Sequence, residues 1–424
     1  MTFQSLHKWG MLFADFWAWE GSVMTRVCAF VFLSLALTAS MSAQPAAVDE
    51  AVTYQINPAH TGANNTKGLK PPLSILWSVD LHATVSYPLI AEGKIFVVAG
   101  DSNAGNDSLY ALDAATGNTL WGPVVIPNGA YWWAAAAYDN GTVFVVPDTS
   151  NPFGQGAMFA YDAATGSLLW SATLPFQYLY NSAPTALNGI VYTAGAGEGG
   201  TVYAVDETNG NVLWTAGVAN GNNSSPVVTS KGVYVSYVCP NVYDFAPLTG
   251  TTIWSYSPGC DGGGGNTPVL FGGKLYVRDA IVYEGYNGGV FKASNGKLLS
   301  YFNSAFAPAF AAGIGLYTEN DSLTAFKVAT GVTIWTAAPA QGDSYSSAPI
   351  IVNGVVYIGT AEGNLIGYSL KTGAQILSMP MGASIQAGDG DNYSAPQSGL
   401  GAAGGLLIVP ASTKVVALAP HKKH

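Results

Sequence analysis

Eight times along this chain a short strand ends in a turn and then runs into a large side chain, usually tryptophan. The clearest copies are Ala111-Leu112-Asp113-Ala114-Ala115-Thr116-Gly117-Asn118-Thr119-Leu120-Trp121 and Ala160-Tyr161-Asp162-Ala163-Ala164-Thr165-Gly166-Ser167-Leu168-Leu169-Trp170. A third runs from Ala204 through Asp206 and Gly210 to Trp214. The repeated position is held by Trp77, Trp121, Trp170, Trp214, Trp254, Ser300, Trp335 and Leu377, 35 to 49 residues apart. A fixed period of that size marks a repeat architecture and constrains the fold before any other motif.

Each unit has the same order. A Ser-x-Pro lead-in comes first, as in Ser182-Ala183-Pro184, Ser224-Ser225-Pro226 and Ser347-Ala348-Pro349. A turn such as Asn188-Gly189 or Asn353-Gly354 then separates two apolar runs. A third run (Leu109 to Asp113, Val202 to Asp206) leads through the Gly turn to the run carrying Trp. The runs are short, rich in Val, Ile, Tyr and Trp, and bounded by Gly, Asn, Asp and Pro, which predicts strands joined by hairpins. No segment between them has helical apolar spacing. Four antiparallel strands per unit of about 45 residues describe a propeller blade. Asp113 is suited to bond backbone N–H groups two residues on, and Gly117 to take positive φ. Trp at the repeated position would wedge between neighbouring blades and donate its N–H to a carbonyl across the gap.

Third strands start near Leu109, Met158, Val202, Val242, Val290, Leu323, Leu365 and Val415. The Trp count and the third-strand count are both eight but are offset. The first Trp strand, Ser74 to Asp80, lacks a preceding partner, and the last third strand, Lys414 to Ala419, lacks a following one. The expectation is an all-β, eight-bladed propeller whose N-terminal strand completes the C-terminal blade, pairing two edges that would otherwise be open.

The A-x-D-x-x-T-G-x-x-x-W unit resembles the tryptophan-docking motif of the pyrroloquinoline-quinone (PQQ) repeat propellers. That superfamily includes quinoprotein alcohol dehydrogenases and outer-membrane assembly lipoproteins of the BamB type. The resemblance covers roughly residues 51 to 420. It bears on the fold, because the motif is structural and function resides in sites grafted on folds.

Expected boundaries are a signal region over 1–43, with Met24 as the true start, an arm over 44–73, the propeller over 74–420 and a basic tail over 421–424. Arg26 precedes the apolar run Val27 to Ala39, and Ser40, Ser42 and Ala43 follow it, as in a secretory signal. That run is too short to span a membrane as a helix. We therefore expect an exported, periplasmic or extracellular monomer. No cysteine stands directly after the run, so the lipid anchor of the BamB type is not expected. Two cysteines remain, Cys239 and Cys260, and in an exported chain they read as one disulfide. The alternative is two separate buried thiols. Net charge is −10, and Arg278 is the only arginine after the signal region. A nucleic-acid surface needs clustered Lys and Arg, so that partner is excluded.

Histidine is scarce. His421 and His424 sit on the tail, so a Ser-His-Asp triad would have to use His60 or His82. The resemblance implies for a quinoprotein a quinone held between a Trp and an adjacent Cys-Cys disulfide, with Ca²⁺ on Glu, Asn and Asp. This chain lacks adjacent cysteines and the long insertions of those enzymes. Arg278 and Asp279 are the nearest polar groups of cofactor type, and their alternative is a buried or channel-facing ion pair. Asp101, Asn103 and Asp107 place oxygen ligands as a cation would want them, without the Glu that completes an EF-hand. No cofactor is expected, with PQQ and Ca²⁺ as the alternative.

Aligned on the Ser-x-Pro lead-in, the loop positions Thr84, Trp132, Tyr180, Asn222, Gly264, Ser304, Tyr345 and Asn392 should ring the mouth of the central channel. Trp132, Trp133, Tyr180 and Tyr345, with Tyr393 beside Asn392, make one side aromatic. Aromatic faces with Asn222 nearby suit a protein, a peptide or a glycan. The alternative is packing of these loops against neighbouring blades. The expected function is a non-enzymatic binding or scaffold module. The alternatives are a quinoprotein oxidoreductase and a BamB-type assembly factor.

Overall fold

The computed structural model describes residues 49–100, 107–127, 130–149, 156–176, 182–197, 199–219, 224–259, 265–279, 287–385 and 397–421. The residues expected to form a signal region, and the last three residues of the chain, lie outside them. Among the described residues there is no helix, and eight antiparallel four-stranded sheets form a ring, an eight-bladed propeller. In blade 3 the strands run outward from Thr185–Leu187 through Ile190–Gly197 and Gly199–Asp206 to Val212–Val218. Blade 1 follows the same plan from Leu89–Ala91 to Thr119–Val125, and blade 7 from Ile350–Val352 to Gln375–Pro380.

The closure expected from the sequence is present. Leu73–Asp80 pairs antiparallel with Lys414–Pro420 and forms the outermost strand of blade 8. One sheet thus joins the two ends of the propeller, each strand pairing an edge the other would leave open.

The motif works as its residue types predict. Asp113 Oδ1 accepts the N–H groups of Ala115 and Thr116 and the Thr116 hydroxyl, at 2.8–3.1 Å. Gly117 turns with φ 75°. Each docking Trp donates Nε1–H to a carbonyl on the next blade: Trp77 to Ala114, Trp121 to Ala163, Trp170 to Glu207, Trp214 to Pro247, Trp254 to Ala293 and Trp335 to Leu370, at 2.7–3.2 Å. The acceptor lies three residues before the turn glycine every time. The indole lies on that glycine, where a Cβ would come within 2.3–2.7 Å of its ring. Burial of a large ring and satisfaction of its only donor therefore occur in one contact.

The Ser-x-Pro lead-in also has a structural reason. The Oγ atoms of Ser86, Ser182, Ser224 and Ser347 accept the N–H groups of Val98, Ala194, Ser236 and Gly359, at 2.7–3.3 Å, and Ser304, which stands four residues before its Pro, accepts that of Thr318 at 3.1 Å. Each hydroxyl caps the second strand of its blade where the innermost strand has not yet begun to pair, and so satisfies a buried N–H.

Candidate functional site

The centre of a propeller ring is its usual ligand route, and here the chain's own N-terminal arm occupies it. Residues 51–64 touch the innermost strands all round the ring. Ala51 exchanges both backbone bonds with Ile90 of blade 1, and Tyr138 N–H of blade 2 donates to Val52 O. Thr53 Oγ1 donates to Pro184 O of blade 3 at 2.9 Å. The N–H groups of Val228, Leu270, Phe310 and Ile351 donate to the carbonyls of Pro58, Ala59, Thr61 and Gly62, which covers blades 4 to 7. Ala63–Asn64 pairs in parallel with the innermost strand of blade 7, and Asn64 Nδ2 donates to Ala402 O of blade 8 at 2.8 Å.

The arm's backbone is bent to do this. Gln55, Ile56 and His60 take φ of 53°, 76° and 55°. Such values are uncommon outside glycine, and for a β-branched residue such as Ile56 they mark strain held by its surroundings.

His60 is fully buried within the ring. Nδ1 lies 3.3 Å from Pro268 O, and Nε2 lies 3.2 Å from Thr185 Oγ1 and 3.4 Å from Ser225 Oγ. A carbonyl only accepts, so Nδ1 carries the proton and Nε2 accepts. Burial holds the imidazole neutral and lowers its pKa to about 3, against a smaller opposing effect of the Pro268 carbonyl. Ser225 Oγ donates to Ala183 O at 2.7 Å, so its proton is not directed at His60. His60 faces a carbonyl where a triad would place a carboxylate. His82 is exposed, 3.5 Å from Asp80. Neither histidine forms a triad.

Arg278 and Asp279 are both buried. Arg278 Nη1 donates to Ala305 O at 2.9 Å. Asp279 Oδ2 accepts the Cys239 N–H at 3.3 Å, and Asn303 brackets the Asp279 backbone through its side-chain oxygen and nitrogen. These groups cross-link blades 4, 5 and 6. Both residues are thus engaged by the protein itself. Asp107 is buried, with its carboxyl against Gly100, where only glycine leaves it room. Asp101 and Asn103 lie outside the described residues, and so does Cys260. Cys239 is fully buried at φ 75°.

Of the aromatic mouth, Tyr345 differs from the sequence expectation. It is 4% exposed and packs between blades 6 and 7, with its hydroxyl 2.8 Å from that of Tyr368. It lines a core, not an open mouth. Ser304 likewise belongs to the capping series above. Trp132 and Trp133 fall on the strand Ala130–Asp139, but their side chains lie outside what the structure describes, as do Tyr180, Asn222 and Tyr393. The sequence marked an arm over 44–73 but not its path through the ring, for which the local signals are Gly62 and the isolated buried-type residues Tyr54 and His60.

A family model described as outer membrane protein assembly factor BamB matches residues 70–130, 106–238 and 239–419. The chain belongs to this PQQ-repeat propeller family. Among curated relatives, the PQQ-repeat chain is 24% identical over 306 residues to tetrathionate hydrolase of Acidithiobacillus ferrooxidans, covering 64% of this chain and 57% of that protein. It is 35% identical over 71 residues to outer membrane protein assembly factor BamB of Burkholderia pseudomallei, covering 16% of this chain and 19% of that one. The chain thus spans little more than half of the first relative and a fifth of the second. Two solved structures share the fold. BamB from Moraxella catarrhalis has a TM-score of 0.59 at 14% identity, over 82% of this chain and 99% of that one. Quinohemoprotein alcohol dehydrogenase from Comamonas testosteroni has a TM-score of 0.64 at 15% identity, over 89% of this chain and 82% of that one.

Proposed function

We propose that this PQQ-repeat propeller is an exported, non-enzymatic binding module that takes a protein partner on the face bearing the loops that lead into the innermost strands. The observation that carries this reading is the filled centre. Residues 51–64 use the inner carbonyls and N–H groups that a ligand in the channel would need. What remains is a broad face, suited to a large partner. On this reading Trp132, Trp133, Tyr180, Asn222 and Tyr393 supply its contacts, and a Cys239–Cys260 disulfide braces it. Export is supported by the basic, apolar and small-residue sequence over 24–43 and by the name of the BamB relatives.

The test is photo-crosslinking from position 132 or 180 in the native host, with and without Trp132→Ala and Tyr180→Ala. A discrete crosslinked protein that is lost in the variants supports the reading. Crosslinks unchanged by both substitutions count against it.

A second reading, hydrolysis of a sulfur oxyanion, is favoured by the match to tetrathionate hydrolase. Incubation of the purified protein with tetrathionate, with thiosulfate and sulfate followed by ion chromatography, decides it. Turnover would replace the binding-module reading.

A further inference from the structure

Six blade junctions seat an indole on a glycine, and one has the seat without the indole. Ser300 stands opposite Val290 in blade 5, as Trp254 stands opposite Asp244 in blade 4 and Trp214 opposite Ala204 in blade 3. It is therefore the docking position, occupied by a residue too small to dock. The facing turn in blade 6 is intact: Gly331 has φ 73°, within the 67–76° of the six occupied glycines. Nothing lies within 4 Å of where its Cβ would be.

The acceptor is preserved as well. Val328 lies three residues before Gly331, and its carbonyl accepts Lys274 Nζ at 3.4 Å, a long contact in the place of an indole N–H. The gap is a cavity of about 560 Å³ between blades 5 and 6, walled by Tyr276, Tyr317, Phe326, Val328, Ser300 and Gly331. The Leu377 junction is different. The blade beyond it is closed by the N-terminal strand, so no Gly turn connects its last two strands.

We propose that this cavity binds the tryptophan side chain of a partner polypeptide. The ligand class follows from the chain itself, since six sites of the same construction hold an indole by the same glycine and the same carbonyl. Aromatic walls add favourable ring contacts, and the Lys274 head, held to Val328 O only at 3.4 Å, can leave that carbonyl to the incoming N–H. A polypeptide source is favoured by the rim. Leu299 and Tyr301 are 46% and 76% exposed on Leu298–Tyr301, the outermost strand of blade 5. An outermost strand offers unpaired backbone to residues flanking the anchor. The site lies between blades and is independent of the loop face.

The test uses the full protein and a fluorescein-labelled pentapeptide, Gly-Ser-Trp-Ser-Gly, followed by fluorescence polarisation. The same peptide with Ala in place of Trp is the control. Binding of the Trp peptide alone is expected. Ser300→Trp should fill the seat from within, weaken peptide binding by about tenfold or more and raise the melting temperature. Gly331→Ala should weaken binding in a protein that stays folded. Equal binding of both peptides, or a Ser300→Trp protein that binds as well as the parent, overturns the proposal. N-acetyltryptophanamide binding as tightly as the peptide overturns the polypeptide source. Self-association that is lost in Ser300→Trp overturns a separate partner in favour of a second copy of this chain.

Discussion

Trp170 lays its ring on Gly210 and donates its Nε1–H to Glu207 O at 2.8 Å, so two blades are joined through one residue that has no side chain. Gly210→Ala must force a Cβ to 2.6 Å from the indole at a φ of 76°. Gly331→Ala meets only the φ penalty, about 1–2 kcal/mol. Urea unfolding should show Gly210→Ala to be the more destabilising by a clear margin. Trp170→Ala should cost about 3 kcal/mol or more. Equal costs for the two glycines would remove the docking account.

Burial of His60 predicts acid lability. Its folded pKa is about 3, below the ordinary 6.5. The unfolded chain therefore binds the extra proton between these values, and stability falls as pH drops from about 6.5 towards 3. His60→Gln should flatten that limb in pH-dependent thermal melts.

Glu207 and Asp244 act with the opposite sign. Burial raises both pKa values to about 8, helped at Glu207 by the Asp139 carboxylate beside it. Native protein then holds protons that the unfolded chain has lost. Their contribution is full below the ordinary carboxylate range and declines as pH rises through about 8. Glu207→Gln should leave stability near pH 5 little changed and raise it near pH 9, with Asp244 still supplying part of the slope. A steeper alkaline loss in that variant would contradict the assignment.

Ser182 Oγ accepts the Ala194 N–H at 2.7 Å in the interior. Ser182→Ala leaves that donor unsatisfied, at a cost of about 1–3 kcal/mol. Ser182→Thr, which keeps the oxygen, should recover part of the loss by the same denaturant measurement.

Calorimetric titration with PQQ and Ca²⁺ should give no saturable heat, because Arg278 is turned to Ala305 O and Asp279 to the Cys239 N–H. Micromolar binding abolished by Asp279→Asn would reopen the quinoprotein reading.

The blades were legible because their signals are local. Asp113, Gly117 and Trp121 occur within nine positions and each has one geometric job. Closure by Leu73–Asp80 was legible from two unpaired strands. The course of the arm was not, because Gln55, Ile56 and His60 adopt left-handed backbone without a glycine to announce it. Their surroundings come from residues far along the chain, as in the Gln55–Ala307 hydrogen bond, 252 residues apart. Tyr345 shows a different limit. An aromatic residue in a loop suits a mouth or a core equally, and only its Tyr368 partner on the strand Asn364–Ser369 decides. The vacancy opposite Gly331 was visible as a serine in a tryptophan column, but its depth depends on walls drawn from other strands of both blades.

Repeat arrays often melt piecemeal, because each unit contacts only its neighbours. The threaded arm removes that freedom here. The segment of the fold that leaves the ribosome first is housed last, since its seat needs Ile90 at one end of the synthesis and Ala402 at the other. Losing any blade would unseat residues bound to all the rest. Eight modules are thereby tied through one segment, and a chain short of a blade lacks part of that segment's seat.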